Sequence, residues 1–303
     1  MVEWTEPIPS ILRDLPFYEW LTPDRTGLTP WVLGASGGIF AGAGAYRKRK
    51  LTASGALLAA LIGAVLYAAG SLVWFAALLA FFSSSTFFSK WKRHKRRLAE
   101  QSYEKGSTRD AAQVAANGLL GALFCVADRL FPDPLWLAGF LGVMAAVTAD
   151  TWATELGGLS KREPRSILTG KRVPAGTSGG ISALGTLASA AGALFIGVFG
   201  AACLYLVPEP AVPASPFVLA GLAASAFAGG FVGALADSLL GATVQRMYRC
   251  TECRRLLERK EHCGRPASLA RGIKWMNNDA VNIISSVAGA VVSILLAHLF
   301  IGL

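Results

Sequence analysis

Residues 146–160 read AVTADTWATELGGLS and follow an almost purely apolar run, so Asp150 and Glu155 stand where a hydrocarbon-buried helix should be ending. An acid at the centre of a membrane helix costs roughly 3 kcal/mol, and such residues as a rule mark function. The reading of the chain therefore turns on which side of a membrane these two carboxylates face, and on what else faces that way.

Working outward, 53% of the 303 residues are hydrophobic, 16% are charged, and the mean hydropathy is +0.46. That balance excludes an ordinary soluble domain. Runs long enough to cross roughly 30 Å of hydrocarbon recur at 30–46, 51–69, 71–89, 110–131, 134–151, 179–207, 215–245 and 279–302. They predict an all-α, polytopic integral membrane protein of about eight transmembrane helices, forming a single domain over 29–303. Only Gly70 separates the second run from the third, which predicts a tight hairpin there. Residues 1–28 carry Glu3, Glu6, Asp14, Glu19 and Asp24, the opposite of a basic leader. Their Trp4, Phe17, Tyr18 and Trp20 suggest an acidic segment lying at the membrane interface.

The net charge of +10 invites a nucleic-acid partner, but its distribution removes that reading. All basic residues except Arg13, Arg25 and Arg129 fall in 47–50, 90–109, 161–172 and 246–274. With eight spans these segments share one side, in loops bounded as 90–109, 157–178 and 246–276 together with 47–50. The opposite loops, FPDP at 131–134 and VPEPAVPASP at 207–216, hold no Lys or Arg. Basic loops mark the cytoplasmic side, so both termini are expected outside, with a bacterial or archaeal plasma membrane as host.

The polar sequences at helix ends lie on this same face. Spans four, six and eight begin there, and helix N-termini favour anions. Arg109, Gln113 and Asn117 follow at i, i+4, i+8. Gly176, Thr177, Ser178, Gly179 and Gly180 open span six with little bulk, letting backbone amides approach a phosphate. Asn277 or Asn278 can cap span eight, and Asn278 shares a face with Asn282. Spans five and seven end there carrying Asp150, Glu155 and Asp237, and Asp279 opens span eight. Anion and cation sites thus alternate around one surface, as a metal–phosphate complex requires. Plainer readings stand beside these: a packing turn for the glycines, interhelical hydrogen bonding for Gln113 and Asn117, and capping for Asp279. Along span seven Gly221, Ser225, Gly229, Gly233, Asp237 and Gly241 recur every four residues, so Asp237 faces protein rather than lipid. In span one Gly34, Gly38 and Gly42 form a shorter packing stripe.

Cys250, Cys253, His262 and Cys263 form CxxC-x8-HC in a hydrophilic loop, a candidate structural zinc site in a reducing compartment. Cys125 and Cys203 lie inside spans as apolar side chains. GASGGIFA at 34–41 echoes GTSGGISA at 176–183, which would fit an inverted repeat.

Taken together, TRDAAQVAANG, ADTWATELG, VPAGTSGGIS, ADSLLGATVQ and NNDAVN resemble the integral membrane family that includes transmembrane protein 19 and the phytyl-phosphate kinases. The resemblance covers most of 30–302. It implies phosphorylation of an isoprenoid monophosphate to the diphosphate by a nucleoside triphosphate, CTP or ATP, with a prenyl-phosphate lipid in the bilayer as partner. On that reading Asp150 and Asp237, assisted by Glu155 and Asp279, hold Mg²⁺ or Mn²⁺ on the nucleotide. Arg109, Lys171 and the 176–180 amides take phosphate oxygens, with Gln113, Asn117, Asn278 and Asn282 beside them. No Walker-type GxxxxGK[ST] occurs, so the chain is not a P-loop kinase. The alternative is a transporter or flippase of a phosphorylated lipid or other anion.

The charge distribution makes a topological prediction. In intact cells, single cysteines introduced at 90–105 or 252–260 should resist an impermeant maleimide, and those at 209–214 should react. External labelling of 90–105 would invert the assignment.

Overall fold

In hydrocarbon each backbone N–H and C=O must be satisfied within the protein, which leaves helices as the element these apolar runs can form. The computed structural model describes residues 27–91, 108–213 and 215–301. It contains helices α1 (Thr29–Arg47), α2 (Ala53–Val65, extended by a π turn at Leu66–Gly70), α3 (Leu72–Lys90) and α4 (Ala111–Leu130). α5 (Pro134–Gly157), α6 (Ala183–Leu206), α7 (Pro216–Thr243) and α8 (Asn278–Ile301) follow. The acidic interfacial segment and most of the basic 90–109 loop lie outside the described residues.

Among the described residues, α2 to α8 are long and apolar enough to cross a membrane. α1 is not, because glycine dilutes its hydropathy, yet it runs antiparallel along α2. Gly34, Gly38 and Gly42 lie against Ala64, Ala60 and Ala56, and a Cβ on Gly38 would stand 2.3 Å from the Ala60 carbonyl. The expected packing stripe is thus present, and α1 shares the depth of a membrane-crossing helix.

The hairpin at Gly70 takes a different form from the one expected. The chain turns at Ser71, which is extended and caps α3 by accepting from the Val73 N–H. α3 then leaves α2 and packs on α5 and α6. Trp74 is the reason: fully buried, it sits against Phe140 of α5 with ring centroids 4.6 Å apart. A Cβ at Gly70 would collide with the same indole and with Cys125 Sγ.

α5 is the central post. Every residue from Leu137 to Ala149 is buried, and α3, α4, α6, α7 and α8 all pack on it. Small residues set the spacing. Gly142 meets Ser293 and the Gly289 carbonyl, Gly230 meets Ala145, and Gly233 meets Ala146. On the α7 stripe Gly221, Ser225, Gly229, Gly233 and Gly241 are buried, and a Cβ on Gly229 would stand 2.4 Å from the Gly289 carbonyl. The Ser293 hydroxyl donates to the Ala138 carbonyl at 2.7 Å, tying α8 to α5.

Two boundaries depart from the sequence reading. α5 does not end at Asp150 but runs two turns further, because 151–156 contains no helix breaker and Gly157-Gly158 supplies the stop. α6 starts only at Ala183, with Ser182 as its N-cap. The 176–180 stretch is therefore a loop, since Gly176 (φ 83°) and Gly179 (φ 79°) adopt the left-handed backbone that a helix cannot hold. The two echoing motifs accordingly differ in form, residues 34–41 being helical and 176–181 not. The all-α core carries small antiparallel additions at one end. β1 (Arg165–Ser166) pairs with β2 (Gly180–Ile181). In the loop between α7 and α8, β3 (Met247–Arg249) lies between β4 (Leu256–Leu257) and β7 (Ser268–Arg271). There too β5 (Glu261–His262) pairs with β6 (Arg265–Pro266).

Overfilling the α7–α8 seam should cost about 1–3 kcal/mol. Gly229→Leu should therefore lower the detergent melting temperature clearly. Gly44→Ala, whose Cβ meets nothing within 4 Å, should leave it unchanged or raise it. Equal melting of Gly229→Leu and wild type would contradict the packing described.

Candidate functional site

The end of the bundle at which α4, α6 and α8 begin and α5 and α7 finish encloses a cavity of about 410 Å³. Arg109, Gln113 and Asn117 line it from the start of α4, and Asp150 and Glu155 from the last turns of α5. The 176–180 loop, Asp237 of α7, and Asn278 and Asn282 of α8 complete the ring. Two residues expected from the sequence lie elsewhere. Lys171 is exposed in the turn after β1, where its carbonyl accepts from the Ser166 N–H. Asp279 is buried on α8 and does not line the cavity.

Asp150 and Asp237, both half-buried, line the cavity from the facing ends of α5 and α7. Ser285 of α8 donates to Asp237 Oδ2 at 3.3 Å. No Lys or Arg among the described residues forms an ion pair with either acid. Glu155 is turned to α3, accepting from the Ser89 hydroxyl at 2.5 Å. Asp150, Glu155, Asp237 and Asp279 do not converge on one point: among the described residues only Cys250, Cys253, His262 and Cys263 do so. Two hard carboxylates in a cavity still fit Mg²⁺, which takes one or two such ligands and completes its octahedron with water and phosphate oxygens.

The three helix starts facing the cavity carry side-chain caps, which alters the anion-binding expectation. Asp110 and Gln113 form a reciprocal capping box on α4. Ser182 accepts from Gly185 N–H on α6, and Asn277 from Ala280 N–H on α8. The polar groups left open toward the cavity are instead on side chains and in the 176–180 loop. In 176–180, the Thr177 and Gly180 N–H groups close turns. Those of Gly176, Ser178 and Gly179 have no protein acceptor among the described residues. The loop can lie so close to α7 only because Gly179 and Gly241 lack side chains: a Cβ on Gly179 would stand 2.4 Å from that of Ala242.

Arg109 occupies the boundary between two environments. Its backbone pairs with the α1–α2 turn, donating to the Lys50 carbonyl and accepting from the Thr52 N–H. Its guanidinium lies over the rings of Phe81 at 5.4 Å and Phe82 at 5.9 Å. Burial lowers its pKa to about 10, which leaves it charged at neutral pH. Beyond it an apolar groove runs between α1, α2, α3 and α4, lined by Gly38, Gly42, Ala59, Ile62, Phe75 and Leu78. Arg109 and Asn117 line both the cavity and the groove.

Several cavity residues were not legible in the sequence. Glu258 and Gln245 are buried and linked, Gln245 Nε2 donating to Glu258 Oε1 at 2.9 Å, and the Ser178 hydroxyl donates to Gln245 Oε1. Lys161 and Arg162 line the mouth. In LLERKEH the glutamate reads as part of a solvated charge run, and only the burial of Leu257 beside it turns it inward.

Comparison with known proteins places the chain. The family model described as integral membrane protein DUF92 matches residues 37–290. The chain belongs to this family. It is 31% identical to Protein PGR of Arabidopsis thaliana over 264 residues, covering 79% of this chain and 86% of that one. It is 32% identical over 250 residues to an uncharacterized membrane protein of Methanocaldococcus jannaschii, covering 82% and 87%. With Protein VTE6, chloroplastic, of Arabidopsis thaliana it shares 27% identity over 252 residues, 81% of this chain and 65% of that one. No solved structure matches.

Proposed function

We propose that this multi-pass membrane protein is a kinase that phosphorylates an isoprenoid monophosphate to the diphosphate with a nucleoside triphosphate, CTP or ATP. The observation that carries the reading is the junction at Arg109 and Asn117, where a carboxylate-bearing polar cavity meets an apolar groove. A prenyl phosphate has the same two-part character. The first carbons of its tail would lie in the groove, about 60 Å³ in volume, beside Phe75 and Leu78, its phosphate would meet Arg109, and a nucleotide would approach from the open end. The family resemblance points to the same chemistry. We place the basic end toward the cytosol of a bacterial or archaeal cell, where nucleotide is supplied.

Transfer needs little covalent chemistry from the protein. A terminal phosphate oxygen of the lipid forms a new bond to the γ-phosphorus, the bond to the β,γ-bridging oxygen breaks, and the nucleoside diphosphate leaves with that electron pair. A divalent cation bound with the nucleotide would supply neutralisation of its phosphate charge. The chain's own part is to position and to balance charge. Asp150 and Asp237 hold the cation side of the complex, while Arg109, Lys161 and Arg162 face phosphate oxygens. The Gln113, Asn117, Asn278 and Asn282 amides and the free N–H groups of Gly176, Ser178 and Gly179 orient them. Glu155, hydrogen-bonded to Ser89, limits solvent at the α3 side.

Asp150→Asn and Asp237→Asn each keep size and most hydrogen bonding but remove charge. Each should lower kcat for prenyl-phosphate phosphorylation by on the order of 10²–10³, the scale of losing one stabiliser of transition-state charge. Expression and thermal stability should hold or improve, since two like charges no longer face each other. Full activity in both variants would sink the cation-site assignment. Nucleotide-independent lipid movement in vesicles, with no turnover by wild type in detergent, would favour a transporter instead.

A further inference from the structure

The loop between α7 and α8 is a small module without an apolar core of its own. Its strands run two to four residues, and from Arg249 to Arg271 only Cys250, Leu257 and Glu258 are buried. Such a segment needs a staple to hold one conformation. Four side chains offer one. The sulfurs of Cys250, Cys253 and Cys263 and a ring nitrogen of His262 all lie within 4.8 Å of one another. His262 Nδ1 stands 3.4 Å from Cys253 Sγ and 3.2 Å from Cys263 Sγ. In a zinc tetrahedron with bonds of about 2.3 Å to sulfur and 2.0 Å to nitrogen, ligand edges of roughly 3.5–3.8 Å follow. The cluster is thus near the size of one ion.

The backbone is shaped for the same purpose. The Cys250 N–H donates to the Arg255 carbonyl and the Arg254 N–H to the Cys250 carbonyl, so the CxxC segment closes into a tight turn. Each ligand pair is followed or closed by left-handed backbone: Arg254 at φ 60° after the first, Cys263 at φ 53° and Gly264 at φ 73° at the second. A non-glycine residue in that region is uncommon and calls for a local reason, and folding two ligand pairs back on one point is such a reason. Three soft thiolates and an imidazole select zinc over the hard cations that suit the carboxylate cavity.

We propose that Cys250, Cys253, His262 and Cys263 bind one structural Zn²⁺ that locks the α7–α8 loop against the mouth of the cavity. Two connections carry the lock inward. β4 places Leu257 in the protein interior, and the next residue, Glu258, holds Gln245, which in turn accepts from Ser178 of the 176–180 loop. From the end of β7 the Arg271 guanidinium donates to the Ala242 and Gly241 carbonyls at the end of α7. The ion is at a distance from the phosphates and positions the wall that faces them.

Elemental analysis of the purified full-length protein should find about one zinc per chain. Cobalt substitution should give thiolate-to-metal charge-transfer absorption and tetrahedral d–d bands. Cys253→Ser and Cys263→Ser, both at exposed positions, should each lose at least nine-tenths of the bound metal, while Cys203→Ser, inside α6, retains it. Metal removal should speed amide exchange at 245–271 without changing exchange in α5. Wild type repleted with zinc yet holding none, a disulfide among the three loop cysteines, or undiminished zinc in the double variant Cys253→Ser/Cys263→Ser would each overturn the proposal.

Discussion

The structure is organised around the facing of two carboxylates, Asp150 on α5 and Asp237 on α7, at one end of an apolar bundle. Each would prefer water, both line one cavity, and neither has a basic partner among the described residues. Such an arrangement is unfavourable in the bare protein and persists only where the surrounding packing over-determines it. A cation held jointly by these acids and by a phosphorylated ligand would offset both costs at once.

The over-determination comes from close helix contacts remote from the acids. Gly229, Gly230 and Gly233 let α7 approach α5 and α8 until a methyl group would not fit. The unbroken buried run Leu137–Ala149 fixes α5 in the middle. Asp150 and Asp237 therefore inherit their separation from the glycine seam below them. The same device seats the 176–180 loop on α7 through Gly179 and Gly241. Smallness in this chain is how depth and distance are set.

Much of this was legible from residues alone. Among the described residues hydropathy found every helix, because backbone satisfaction in lipid leaves no other element to these runs, and the four-residue stripe turned Asp237 toward protein, where Ser285 donates to it. Boundaries were less legible. Asp150 looked like a helix end because polarity begins there, but polarity is not a helix breaker, and α5 stops only at Gly157-Gly158. GTSGG looked like a helix start because it precedes an apolar run. Its glycines instead supply positive φ and close approach, roles a composition pattern does not separate. Lys171 drew attention through its charge, yet Lys161 and Arg162 line the cavity, because the antiparallel bridge between Arg165 and Arg172 carries the turn that holds Lys171 away from it. Glu258 was hidden for the converse reason: its inward aim is a property of the β-module.

The central claim is that Asp150 and Asp237 form a cation site completed by nucleotide, and Mn²⁺ binding followed by electron paramagnetic resonance tests it most directly. With a non-hydrolysable nucleoside triphosphate present, wild-type protein should remove free Mn²⁺ from solution beyond what the nucleotide binds alone. The Asp150→Asn/Asp237→Asn double variant should remove none of that excess. Equal Mn²⁺ uptake by wild type and the double variant would contradict the account.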